Sequence, residues 1–381
     1  MRFKDIWTEN FFEIKEAIVK TVAYFDMFDF PLTGFEIWRN LPVKCKLSEV
    51  IGELENISQG ISQNIAFQED KIPLTPFAKG GKCKMGNIES KNGFYFLAGR
   101  EAIVETRLAR YASADRKFKR VLRIMSVYKF IPWIKMAAVS NLMGAHNLRE
   151  ASDIDLFIIT EPKRIWLTRF FCVFLAKLLG LRPEPDDNRD KICLSFFVSD
   201  EALDLRPLML DNPILEGKRT QSPLVPLYQG GKYNPPSPFA WGSNRVDIYF
   251  VYWLAGLTPI YENDRVYEKL IQLNGWLKEY LPNWPACAEA PAREQIRPWS
   301  RRRDAGGSPG KFYRDMVDLF FGGLEPWFKK IELKMLPKDL RELMNLDTRV
   351  AINDSVLKLH ANDRREEYRN RFNNLVVKIL H

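Results

Sequence analysis

The segment Ala151–Thr160, ASDIDLFIIT, constrains this chain more than any other. Ile154, Leu156, Phe157, Ile158 and Ile159 supply an apolar run of the length and composition of a buried strand. Residues i and i+2 of a strand share a face, so Asp153 and Asp155 stand side by side where the chain enters it. Two carboxylates about 6 Å apart repel by roughly 3 kcal/mol at an effective dielectric near 20. A cation between them removes that cost. Paired hard oxygens suit Mg²⁺, which is usually held by one or two carboxylates plus substrate phosphates. The chemistry that uses such a pair is phosphoryl or nucleotidyl transfer. A D-x-D that merely caps a turn is the commoner occurrence, so the flanking sequence decides its meaning.

Upstream lies a second apolar strand, Trp133–Val139, followed by the small and polar turn Ser140–Asn147. Strand, glycine-bearing turn, short helix and then S-D-I-D-L on the next strand resembles the DNA polymerase beta-type nucleotidyltransferase superfamily. The resemblance is specific over Lys135–Thr160 and looser to about Asp204. The whole chain also resembles bacterial proteins in which such a domain follows a winged-helix-like segment. The resemblance implies Mg²⁺- or Mn²⁺-dependent transfer of a nucleoside monophosphate from a nucleoside triphosphate to a hydroxyl. It casts Asp153 and Asp155 as catalytic metal ligands and Ser140, Asn141, Gly144 and Ser152 as the nucleotide-binding set.

Two departures stand out. The family's Gly-Ser pair falls on Asn141 and Leu142 by spacing, or on Ser140 and Asn141 after a shift of one, with Gly144 as the flexible residue. Asn tolerates positive φ better than most residues, which keeps a phosphate-binding turn feasible. The family's third carboxylate comes from a neighbouring strand, but Lys191–Val198, KICLSFFV, holds no acid. Asp190 and Asp200 flank it: either could reach the site, with Asp190 the candidate third metal ligand, or the third ligand is missing. These departures favour a rival reading, a non-catalytic nucleotide- or nucleic-acid-binding regulator that keeps the fold.

A chain of 381 residues suggests two or three domains, and 46% apolar residues are enough to bury real cores. Lys and Arg number 57 against 48 Asp and Glu, a net charge of +9 that favours polyanionic partners. From Arg107 to Lys135 the only acid is Asp115, so a basic stripe with Arg110, Lys117 and Arg120 on one helix flank is a candidate nucleic-acid contact. Cys45, Cys83, Cys172, Cys193 and Cys287 have no metal or redox spacing. Cys172 and Cys193 lie in apolar runs and read as buried small hydrophobes. Thiols without a disulfide framework suit a reduced cytoplasm. Residues 1–20 mix charge with apolar residues, so no signal peptide is expected, and the apolar runs 165–181 and 246–261 are too short or too charged to span a membrane.

The expected architecture is α+β and multidomain. A winged-helix-like N-terminal domain occupies 1–125, with a flexible insertion at 68–92. Its three helical patterns include the capping box Thr33-Gly34-Phe35-Glu36, and β-like pieces follow at 64–67 and 93–97. A polymerase beta-like core, a mixed sheet with packed helices, occupies 126–215. A Pro/Gly/Ser-rich linker covers 216–245. A helical C-terminal domain fills 246–381, with a low-complexity insertion at 284–310. The three histidines, His146, His360 and His381, show no zinc spacing.

Overall fold

The strand at the D-x-D is hydrogen-bonded on both sides, antiparallel to one neighbour and parallel to the other, so the chain is built on a mixed sheet. The computed structural model describes residues 3–58, 88–140, 147–184, 187–210, 246–284 and 311–380. First in the chain come α1 (Phe3–Asp26), β1 (Leu32–Thr33), α2 (Gly34–Arg39), α3 (Leu47–Ser58), β2 (Ile88–Lys91), β3 (Phe94–Leu97) and α4 (Ala102–Tyr128). Then follow β4 (Ile134–Val139), β5 (Ile154–Thr160), α5 (Ile165–Leu178) and β6 (Ile192–Ser199). The last third holds α6 (Ile248–Ala255), β7 (Thr258–Glu262), α7 (Val266–Leu273), α8 (Leu277–Tyr280), α9 (Lys311–Phe321), α10 (Glu325–Met335), α11 (Lys338–Leu343), β8 (Val350–Ile352), β9 (Val356–Leu359) and α12 (Arg365–Leu380).

At the N-terminal end, three helices accompany a three-stranded sheet of order β1-β3-β2. The capping box forms as its sequence requires: Thr33 Oγ1 accepts from Glu36 N–H, and Glu36 Oε2 accepts from Thr33 N–H at 2.8 Å. β2 and β3 are joined by Asn92 and Gly93, both at positive φ, the residue pair that a two-residue hairpin of this handedness demands. Residues 88–91, expected within a flexible insertion, are therefore a paired strand. The expected strand at 64–67 lies outside the described residues.

The main sheet has six strands in the order β7-β4-β5-β6-β9-β8. β5 and β6 are its parallel pair, and α5 makes the crossover that such a pair needs. Both faces are covered. Ile154, Leu156 and Ile158 face α5 and α10, while Phe157 and Ile159 face a core shared with α1, α6 and α12. The boundary expected near 215 is crossed by the sheet itself. Thr258–Glu262, Val350–Ile352 and Val356–Leu359 lie in the segment expected to be helical, yet they pair with β4, β6 and one another. One apolar core runs from Ala17 and Tyr24 through the sheet face to Phe372, so the N-terminal helices and the C-terminal helix close on the same interior.

Part of the basic stripe is turned inward. Arg107, 2% exposed, bonds both oxygens of Glu36 at 2.7 and 2.8 Å and lies 4.2 Å over the Phe30 ring. Arg110 bonds the Phe28 carbonyl at 3.0 Å and Asn147 Oδ1 at 2.6 Å. Lys117 is fully buried. Arg107, Arg110 and Lys117 hold α4 against its neighbours, whereas Arg116, Lys119 and Arg123 of the same helix are exposed. No helix among the described residues is long and apolar enough to cross a membrane.

A second buried network fastens the C-terminal third. Arg365 bonds Asp247 at 2.8 Å, Asp363 at 2.8 Å, the Leu208 carbonyl at 2.8 Å and Thr348 Oγ1 at 2.9 Å. Asp247 also caps α6 through Phe250 N–H at 3.1 Å. Lys358 joins through Asp363 at 2.8 Å; burial, then the charge of Arg365, push its pKa down to about 8. Removing one member leaves partners buried and uncompensated, at a cost of about 3–5 kcal/mol. Arg365→Met should lower the denaturant midpoint by an amount of that order, and an unchanged midpoint would show that the network carries no net stability.

Candidate functional site

The parallel register of β5 and β6 brings their first residues together, and β4 ends at the same edge of the sheet because it runs antiparallel to β5. Asp153 precedes β5 and Asp155 is its second residue. Cys193, second in β6, is the register partner of Asp155. The three side chains converge: one ligand atom from each of Asp153, Asp155 and Cys193 lies within 4.8 Å of the other two. Beyond that point β6 contains an extra residue, with two steps from Asp155 to Phe157 matched by three from Cys193 to Phe196. Ser195, two residues on from Cys193, lies at this stretch. The Cys193 thiol donates to Ser195 Oγ at 3.3 Å, and Ser195 Oγ lies 3.0 Å from His360 Nε2.

The surrounding charges explain the electrostatics of the pair. Burial, then the charge of Asp153, push the Asp155 carboxyl up to about 7. Burial also raises Asp153, against a smaller opposing pull from Lys117. The Cys193 thiol is raised by burial and then by Asp155. Burial, followed by the Lys358 charge, lowers His360 to about 3, so its ring is neutral. Two acids and a thiol gathered at one point offer oxygen and sulfur ligand atoms of the kinds that hold divalent cations. They fit a divalent metal.

Of the expected nucleotide-binding residues, Ser140 sits at the site: its N–H and Oγ both bond the Asp155 carbonyl, at 3.0 and 3.3 Å. It fixes the backbone of the acid, and its hydroxyl is spent in doing so. Ser152 Oγ bonds the Arg149 carbonyl at 2.9 Å, and its own carbonyl accepts from Lys117. Asn141, Gly144 and His146 lie outside the described residues.

The expected third carboxylate is not supplied by either flanking acid. Asp190 lies close by, with its N–H on the Ser152 carbonyl at 3.3 Å. Its carboxylate is engaged by Arg116 and, at 3.3 Å, by Lys117. Burial works to raise its pKa, but those two cations outweigh it and hold it below the ordinary carboxylate value. Asp190 is thus a clamp on the Ser152–Asp153 backbone and not a member of the converging set. Asp200 is at the far end of β6: its N–H bonds Thr160, the last residue of β5, and its carboxylate is paired with Lys135 at 2.9 Å and with Lys269. Five residues of strand, about 3.3 Å each, separate Asp155 from Thr160. The third residue of the converging set is Cys193, expected from its apolar run to be a buried small hydrophobe. A signal was present: in K-I-C-L-S, Cys193 and Ser195 alternate with Ile192 and Leu194, placing the two polar groups on one face.

The crowding predicts a pH dependence. Between the ordinary aspartate value and about 7 the folded protein keeps a proton on Asp155 that the unfolded chain has released, so stability falls as pH rises through that window. Asp155→Asn removes the penalty. In metal-free buffer its Tm should exceed the parent's at pH 8, and the gap should close towards pH 4; an equal gap at both would show that Asp155 ionises without cost. No family model, curated protein or solved structure matches this chain.

Proposed function

We propose that this protein is a nucleotidyltransferase of the polymerase beta type, moving a nucleoside monophosphate from a nucleoside triphosphate to a hydroxyl acceptor with the help of Mg²⁺ or Mn²⁺. The observation that carries the reading is the convergence of Asp153 and Asp155 at the leading edge of β5, beside the end of β4. Asp153 and Asp155 would hold the metal, whose positive charge would offset the charge that builds on phosphate oxygens during transfer. Ser140 keeps the Asp155 backbone in register. Lys117, Arg116 and Asp190 keep the Ser152–Asp153 segment in place. On this reading α1–α3 with the β1-β3-β2 sheet form the winged-helix-like unit.

The aromatic surroundings agree with a nucleotide substrate. Tyr249 is half-buried, and the Asp155 charge is, after burial, the second cause of its raised pKa. It stacks on Tyr368 with ring centroids 5.3 Å apart, and Phe28 lies 5.1 Å from Tyr368. Three half-buried rings from three distant parts of the chain offer a face on which a base can stack, an interaction worth about 1–3 kcal/mol per base.

The test is transfer of label from α-³²P nucleoside triphosphates with Mg²⁺ or Mn²⁺, scored as pyrophosphate release. Asp153→Asn and Asp155→Asn should each lower the rate by about a hundredfold or more, the several kcal/mol that metal charge stabilisation supplies. Triphosphate binding without turnover in the parent would move the assignment to a nucleotide-binding regulator. Turnover unchanged in both variants would remove the site from the reaction.

A further inference from the structure

We propose that Asp153, Asp155 and Cys193 form a mixed carboxylate–thiolate site that takes a borderline divalent cation of the Zn²⁺ or Co²⁺ class in preference to Mg²⁺. The inference rests on the reading of the two aspartates as metal ligands and sets which ion they receive. Mg²⁺ takes oxygen ligands, whereas thiolate ligands select softer ions. The sulfur is already at the cluster: its ligand atom lies within 4.8 Å of both carboxylates, held there by the β5–β6 register.

A second observation points the same way. His360 Nδ1 is buried with no hydrogen-bond partner, while Nε2 lies 3.0 Å from Ser195 Oγ. A buried N–H without an acceptor is rarer and costlier than a buried lone pair without a donor. The proton therefore belongs on Nε2, where it donates to Ser195. The thiol now donates to Ser195 Oγ at 3.3 Å; once a metal takes the place of its proton, the Ser195 hydroxyl can turn its own proton towards the sulfur and reverse that bond. That polarity, imidazole to hydroxyl to sulfur, is the one a thiolate needs. A thiolate beside two carboxylates is tolerable when a cation shares the site, and hydrogen bonds of this kind orient metal ligands and tune their donor strength. Cys193 and Ser195 are two residues apart in β6, at the stretch where its register against β5 shifts.

The test is titration of the full-length protein with Co²⁺ alone, followed by absorption. A thiolate-to-cobalt charge-transfer band in the near ultraviolet should grow to saturation at equimolar metal. Zn²⁺ should bleach it, and Mg²⁺ at about a hundredfold excess should leave it. Cys193→Ser should lose the band, with circular dichroism checking that the fold persists; Cys193→Ala serves if the serine variant misfolds. Ser195→Ala should keep the band at shifted energy and weaken Co²⁺ binding by about 10–100-fold. Cobalt bound without a charge-transfer band, or displaced by equimolar Mg²⁺, overturns the proposal. The two readings fail separately. A band without nucleotide turnover keeps the metal site and removes the transferase; Mg²⁺-dependent turnover without a band does the reverse.

Discussion

The parallel pairing of β5 with β6 is the constraint on which the rest depends. In a parallel pair both strands begin at the same edge, so the acids that open β5 meet whatever opens β6. An antiparallel pairing would have placed Ser199 and Asp200 opposite Asp155 instead of Cys193. The pairing in turn requires a crossover, and α5 supplies it by laying Ile165, Leu167, Cys172 and Ala176 on one sheet face. The acids stay at a sheet edge because the apolar remainder of β5 has both faces buried and no room for charge.

Around this edge the protein spends cations as structural pieces. Lys117 and Arg116 do not approach the two acids as counter-ions of first resort; they engage Asp190 and the Ser152 carbonyl, which holds the chain leading into Asp153. Burial, then the charge of Asp153, raises the Asp155 carboxyl, and a hydrogen bond with Cys193 opposes them. A site arranged only for stability would have aimed Lys117 between the two acids. A carboxyl raised by burial and a like charge beside a converging thiol marks this edge as the candidate site.

The sequence made the centre of the sheet legible and its flanks obscure, for physical reasons. β4, β5, α5 and β6 are long enough for their periodicity to exceed chance, and each lies within a residue or three of where the apolar pattern places it. The capping box at Thr33 is legible because all its partners are local. β7, β8 and β9 are not: they have five, three and four residues, β7 pairs with β4 and β9 with β6 across more than a hundred residues, and β8 is an edge strand that pairs only with β9. Pro259 argues against a central strand but is acceptable on an edge. Part of the basic stripe misled because charge count does not reveal direction. Arg107 and Lys117 have as much local charge around them as any solvated lysine, and only the tertiary positions of Glu36 and Asp190 show that they point inward.

The site itself was half legible for a related reason. Asp153 and Asp155 are neighbours in sequence, so strand geometry alone puts them together. Cys193 reaches them through a register some forty residues on, and His360 reaches Ser195 from beyond β9, which exists only because β6 is there to pair with it. The candidate site therefore cannot be a property of residues 126–215 alone. Its acids come from β5, its sulfur from β6, its clamp from α4 and its last hydrogen-bonding partner from the C-terminal third. The buried Arg365 network ties that third to Leu208 and Asp247. The long-range pairing that makes the C-terminal strands hard to read is the same pairing that completes the polar chain behind Cys193.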